Sequence, residues 1–401
     1  MNIDPKNYTY TIDNNRNRQI FFLGIILILV SVLMGYKHQE FYFSYLTSYF
    51  FWLSIALGGI FFTLVHYAFS AVWSVSIRRI MENTIIVIPI MTILFIPILI
   101  GMESLFSWMP TNPKWSIPGS FEADHLIQHK LSFLNKEFFL VRAALYFLLW
   151  NFIAVYIYKK SIKNDSIANN SDLDKLRLFS MSPLGVLFFL SLTFAGFDWQ
   201  MSLDPHWYST MFGVYTFAGS FLAFLAFLTF TIIHLQSKGY LKNIVTSEHY
   251  HDLGKYLFAF TVFYCYIAGA QFYFIWYSNI PEETIWYLHR WVGSWKIISI
   301  LLIVGKFFIP FFSLIFRASK RNLGLLKYMS LWIIFMHYID INFIIMPTYH
   351  HHDFHFGIYD LLVLSGIGLV FISSFRNRLS QNPLIPVNDP ELINSINHRN
   401  H

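Results

Sequence analysis

The chain has 401 residues, of which 56% are hydrophobic, 20% aromatic and only 12% charged. Soluble domains carry about 25% charged residues, so this composition belongs to the membrane class and excludes an ordinary soluble enzyme. A single cysteine, Cys265, excludes an internal disulfide, a cysteine-ligated iron–sulfur cluster and a CxxCH haem attachment within the chain.

The polar opening MNIDPKNYTYTIDNNRNR lacks the apolar core and small-residue cleavage site of a signal peptide, so the first apolar run is expected to stay as a helix. Crossing a bilayer takes roughly 20 mostly apolar residues. Ten runs qualify, at 20–36, 42–74, 84–108, 138–158, 182–200, 207–234, 256–279, 290–316, 323–346 and 357–375. The expected fold is therefore an all-α integral membrane protein with ten transmembrane helices, a tail at 1–19 and another at 376–401. The third run has no charge from Thr84 to Met102, and Pro89 and Pro97 predict kinks in it.

Lysine and arginine set the orientation. The two tails and the even-numbered loops hold 19 of them, from Lys6 through Arg78, Arg79, Lys159, Lys160 and Arg317 to Arg399; the odd-numbered loops hold four, Lys37, Lys114, Lys130 and Lys136. By the positive-inside rule both termini face the cytoplasm, and the formal charge of +6 is a topology signal, not the mark of a nucleic-acid binder. The opposite, outer face is acidic and histidine-rich. It carries Glu122, Asp124, His125 and His129, then Asp204 and His206, Glu282 and Glu283, and the run TYHHHDFH at 348–355. Imidazoles and a carboxylate suit zinc or copper, but so short a loop does not readily aim four ligands at one ion, so the run reads as a docking surface for a partner.

An internal repeat organises the chain. Phe62-Thr-Leu-Val-His66 recurs as Phe230-Thr-Ile-Ile-His234, and Gly101-x-Glu103-x-x-Phe106-x-Trp108 recurs as Gly269-x-Gln271-x-x-Phe274-x-Trp276, both at an offset of 168 residues. Asp198 and Pro205 echo Asp340 and Pro347 with the same internal spacing. Residues 42–200 and 207–346 thus read as two parallel-repeat four-helix bundles, with the helices at 20–36 and 357–375 peripheral.

Ionisable residues at membrane depth are costly and face a bundle interior or a wet cavity. Toward the outer ends of the first bundle lie Glu103, Arg142 and Asp198; at matching levels of the second lie Gln271, Lys296, His337 and Asp340. Deeper come His66, His234 and Lys306. His337 and Asp340 are three apart and share a helix face, which lets them hydrogen-bond or relay a proton. One reading of the set is a proton path or a quinone-headgroup site, since a quinol needs groups that take its protons and aromatic walls around them. The plainer reading is that Arg142 and Lys296 pair with nearby carboxylates and fix the helix packing. His66 and His234, at one depth on equivalent helices, also resemble axial haem ligands, although span six offers few glycines to face a ring.

The stretch GFDWQMSLDPHWYS (196–209) concentrates such groups. Pro205 is expected to open span six with Asp204 as its N-cap, and Trp199, Trp207 and Tyr208 are expected at the water interface. Capping leaves Asp198 unexplained; it is expected to face the bundle opposite Glu103.

The phrase FDWQMSLDPHWYSTMFGVYTFAGS (197–220), with NKEFFLVRAALYF (135–147) and the two bundles, resembles the polysulfide-reductase (NrfD-like) membrane-subunit family, in particular the F-type subunits of bacterial alternative complex III. The resemblance implies a subunit of the bacterial inner membrane that carries no cofactor itself and belongs to a quinol-oxidising respiratory complex. Its partners would be a paralogous quinol-binding membrane subunit, periplasmic iron–sulfur and c-haem subunits, lipid and a terminal oxidase, with quinol bound nearby. It also implies Asp198 and the His337–Asp340 pair as proton-path groups, with His66, His234 and Lys306 as the inner half. The anchor of a molybdopterin-type reductase and a secondary transporter remain alternatives; transporters typically place broken helices around a midplane site.

Overall fold

The computed structural model describes residues 8–166 and 171–399. The outermost parts of the two expected tails, 1–7 and 400–401, and loop residues 167–170 lie outside the described residues. Of the described residues, 76% are helical and none forms a strand. Ten helices are long and apolar enough to cross a membrane: Asn14–Gly35, Gln39–Ala68, Val75–Ile100, Lys136–Asp165, Leu184–Leu203, Phe212–Ser237, Ser247–Ser278, Trp295–Leu314, Leu323–Thr348 and Ile358–Leu379, called spans one to ten below. The chain is a multi-pass membrane protein. Number and order follow the hydropathy reading, while several ends move: span one begins at Asn14, where the Asp13 carboxylate caps it by accepting from the Asn15 and Arg16 amides.

Span three is broken outright. Helical pieces at Ile88–Ile93 and Ile96–Ile100 each carry a proline in the first turn, Pro89 and Pro97, because a proline has no N–H and its ring clashes with the preceding turn. Backbone carbonyls at the breaks need donors in a region without water. Span two supplies them: the Tyr49 hydroxyl donates to the Met91 carbonyl at 2.9 Å, and Tyr45 donates to that of Leu94 at 2.8 Å.

Spans two and six form the centre, with 83% and 94% of their apolar windows buried. Association inside a bilayer draws on close packing instead of water exclusion, and small residues permit it. A β-carbon at Gly58 would stand 2.5 Å from the Ser220 carbonyl oxygen and 2.7 Å from the Phe224 Cβ, so only glycine lets the backbones meet there. One turn on, Phe62 packs against Phe224 with ring centroids 5.8 Å apart. Span ten wedges against this pair through Phe371, which meets Trp52 of span two at 5.2 Å and Phe227 of span six at 5.9 Å. Beyond Leu379 the chain folds back over the basic face: Leu384 and Ile385 are fully buried, and the Leu384 amide donates to the Tyr8 carbonyl at 2.9 Å.

Candidate functional site: two buried cation–carboxylate centres

In the first bundle, Asp198 near the end of span five receives three donors. The Arg142 guanidinium of span four grips it bidentately, Nε to Oδ2 at 2.8 Å and the terminal nitrogen to Oδ1 at 2.7 Å, and the Tyr146 hydroxyl donates to Oδ2 at 2.8 Å. Arg142 and Tyr146 are four apart, so one helix face presents both. Arg142 also donates to the Phe133 carbonyl at 2.9 Å and lies over the Phe133 and Phe138 rings at 3.9 and 4.3 Å.

The second bundle repeats the arrangement with different residues. Asp340 of span nine accepts from the Lys306 ammonium of span eight through Oδ2 at 2.6 Å, and from the hydroxyls of Tyr215 and Tyr264 through Oδ1, the latter at 2.6 Å. The Lys306 ammonium sits 3.8 Å from the centre of the Tyr264 ring. Lys306 lies in a π-helical turn, Ile303–Phe308. Pro310 follows and cannot return the N–H that the Lys306 carbonyl would take in an α-helix, which loosens the turn. Such π-bulges recur at functional positions. The side chains of Lys306 and Asp340 are 1% and 2% exposed, so the charges are sustained by each other and by the tyrosines, not by water.

His337 stands beside this centre without bonding Asp340. Its Nε2 meets the Ser54 hydroxyl of span two at 2.8 Å, while Nδ1 is buried without a partner. Gly219 lies between them: a β-carbon there would be 3.6 Å from His337 Nδ1 and 3.8 Å from Asp340 Oδ2. The expected direct His337–Asp340 bond is replaced by two groups that share one helix face and address different neighbours.

Other expectations are corrected. Glu103 is exposed and is not the neighbour of Asp198; Arg142 takes that place. Lys296 is exposed and lies 5.5 Å from the Trp291 ring centre, so it is not the charge partner of the second bundle. Lys306, assigned to a deeper layer, reaches Asp340 instead, because a long flexible stem spans the difference in depth. His66 is buried, with Nδ1 bonded to the Ser74 hydroxyl, whereas His234 is half-buried and stacks on Phe230 at 6.1 Å; no contact joins the two rings among the described residues.

The stretch 196–209 also differs. Span six begins at Phe212 with Met211 at its cap position, so Asp204 is no N-cap and Pro205 opens no helix. Instead 204–211 forms a turn that lays Trp207 on Trp286 at 4.6 Å, nearly parallel. Trp199 and Trp207 are 0% and 1% exposed, and only Tyr208 reaches out, at 62%. His206 Nε2 holds Asp124 Oδ2 at 2.7 Å, tying this turn to the 121–131 segment.

A third centre lies toward the basic face and was missed. Glu82 accepts from Tyr67 at 2.6 Å and from Ser161 at 2.8 Å. It lies 3.4 Å from Arg78 and 3.1 Å from Arg79. Arg78 also holds Asp389 of the folded-back tail at 2.6 Å, and Arg79 holds Asp165. The Arg78-Arg79-x-x-Glu82 spacing puts both guanidiniums one turn from the carboxylate on a helix. Nothing in the sequence sets Tyr146, Tyr215 and Tyr264 apart among the 24 tyrosines of the chain.

On the opposite face His350 and His355 lie 4.0 and 3.8 Å from the Glu40 carboxylate. Burial lowers the His350 pKa, with Glu40 opposing. Among the described residues no group of three or more His, Cys, Asp or Glu is set to hold a metal. No protein-family model matches the chain, and no curated protein is significantly similar to it.

Proposed function

We propose that the chain is a membrane subunit of a quinol-oxidising respiratory complex that holds no redox cofactor itself and contributes a proton path and a docking face to periplasmic electron-carrying partners. The observation that carries the proton part is the recurrence of one device in both halves: a cation of the third helix of each four-helix set gripping a carboxylate of the fourth, Arg142 on Asp198 and Lys306 on Asp340. A merely structural bridge is seldom stabilising over apolar packing, and keeping two at equivalent places suits a task that needs charge there. The respiratory assignment rests on the 197–220 phrase and its family resemblance.

In this reading Asp340 is the exchanging group. As a carboxylate it takes Lys306 on one oxygen and two phenol hydroxyls on the other. A proton arriving at Oδ2 neutralises it and releases the ammonium from the ion pair, next to the π-turn that holds Lys306. His337, bridging toward Ser54, offers the next imidazole nitrogen. The Arg142–Asp198 pair, bidentate and flanked by two phenyl rings, is the more rigid of the two and acts as a fixed charge. The centre around Glu82, with three carboxylates to two guanidiniums, serves as the entry on the basic side, which by the charge asymmetry is the cytoplasmic one.

The test is Asp340→Asn in the intact complex from native membranes. The variant is expected to assemble with the same polypeptides and to lose most quinol-coupled proton transfer. Unchanged turnover together with unchanged proton uptake would overturn the role.

A further inference from the structure

A cleft of about 630 Å³ opens on the basic face between the first turns of span one and the last turns of span ten. Its rim includes Arg18 and Arg378, and no Asp or Glu lines it. Arg18 is exposed and makes no hydrogen bond or ion pair among the described residues. Among the described residues Arg378 makes one hydrogen bond, to the Gln381 side chain at 3.2 Å, and lies 5.9 Å from the centre of the Tyr158 ring, so most of its five donors have no hydrogen-bond partner there. Below the rim the wall turns apolar through Phe21, Phe22 and Ile90. From Arg18 to Phe22 the helix descends about 6 Å, the step from a headgroup to the start of its acyl chains.

An independent observation lies inside the cleft. Asn17 is only 6% exposed; its amide nitrogen donates to the Ser373 carbonyl at 3.0 Å, but its Oδ1 is buried without a partner. A buried acceptor of this kind calls for a donor. Two guanidinium forks call for an oxyanion, and the apolar wall calls for a hydrocarbon chain. A phosphate diester bearing a hydroxyl and two acyl chains meets all three demands.

We propose that this cleft between spans one and ten binds one anionic glycerophospholipid of the phosphatidylglycerol type, its phosphate held by Arg18 and Arg378 and its headgroup hydroxyl donating to Asn17. The site clamps the most exposed span, of which only 22% of the apolar window is buried, onto the rest of the protein. The inference does not depend on the respiratory reading.

The experiment is native mass spectrometry of the detergent-purified full chain, with any partners that accompany it, after delipidation and titration with defined lipids. Phosphatidylglycerol is expected to bind as one retained adduct, phosphatidylcholine at least tenfold more weakly, and inorganic phosphate in equal amount not to displace the lipid. Arg18→Ala and Arg378→Ala should each weaken binding about tenfold, the loss of one charge-assisted contact. Arg18 is exposed and unpaired, so its removal leaves the fold intact. Asn17→Ala should erase the preference for phosphatidylglycerol over phosphatidylethanol, which has the same charge and no hydroxyl. Equal binding of phosphatidylglycerol and phosphatidylcholine, or unchanged affinity in Arg18→Ala, would overturn the site. Displacement by inorganic phosphate would overturn the lipid as its occupant.

Discussion

Lys306 and Asp340 meet at 2.6 Å between spans eight and nine, and Arg142 and Asp198 meet at 2.7 Å between spans four and five. In each case a cation of one span holds a carboxylate of the next. Neither pair is adjacent in sequence, and each joins helices that a membrane protein could have packed with leucine.

Removing one partner of a buried pair leaves the other charge stranded, at a cost of about 3–5 kcal/mol. Lys306→Met is therefore expected to lower the thermal midpoint in detergent sharply. The double variant Lys306→Met/Asp340→Asn should recover most of the loss, because it leaves no unpaired charge and the asparagine can still accept from Tyr215 and Tyr264. Additive effects in this cycle would contradict the direct pairing.

Glycines in the central helices differ in what they permit. Gly58→Ala forces a β-carbon to 2.5 Å from the Ser220 carbonyl and should destabilise by about 1–3 kcal/mol, the usual cost of overpacking. Gly269→Ala meets nothing within 4 Å and should be neutral or slightly stabilising, since alanine favours helix. Thermal midpoints of the two variants compared with wild type decide it; equal behaviour would mean that spans two and six do not meet as described.

Arg290 is 3% exposed and has no carboxylate on its nitrogens. It donates to the carbonyls of Phe343, Ile344 and Trp286 at 2.8, 2.7 and 2.9 Å. Burial lowers its pKa, with Asp204 opposing; a guanidinium keeps its charge in a protein, and here it satisfies the end of span nine. Arg290→Ala should cost about 3 kcal/mol by stranding buried carbonyls, and Arg290→Lys should restore little, because a lysine cannot reach three of them at once. An unchanged midpoint in Arg290→Ala would refute this role.

The Asp124–His206 tie gives a pH signature. Burial works to raise the Asp124 carboxyl, but the Ile127 amide and His206 outweigh it and hold it below its ordinary value. A carboxylate depressed by folding contributes above its unfolded pKa of about 3.9 and loses that contribution as pH falls through the folded value. Hydrogen-exchange protection of the 121–131 segment should be flat from about pH 8 to 5 and decline only below about pH 4. Asp124→Asn should reduce it throughout. A decline that begins well above pH 5 would contradict control by the carboxylate.

Much of the fold was legible because bilayer thickness imposes its own length on every span, and ten spans in order followed from hydropathy alone. The repeat was legible from His66/His234 and Gly101/Gly269, and it placed Asp198 and Asp340 as equivalents. What failed was lateral. Hydropathy fixes depth and says little of which faces meet, so Glu103 was set opposite Asp198 where Arg142 belongs. Depth itself misled for Lys306, whose stem covers several ångströms along the helix. Asp204 and Pro205 matched a cap-and-start pattern that the burial of Trp207 overrode: stacking on Trp286 holds the chain in a turn until Phe212. The tyrosines around Asp340 were hidden because a phenol that completes a charge network looks in sequence like one facing lipid.

The central claim is tested most directly by extracting the tagged chain from native membranes in mild detergent, then recording the visible spectrum and identifying the polypeptides that accompany it. The account predicts c-type haem bands and an iron–sulfur protein in the same particle, carried by partners, since this sequence has a single cysteine and no CxxCH motif. A chain that purifies alone and colourless, and in that state moves a solute across vesicles, would contradict the account and make the buried pairs part of a transporter.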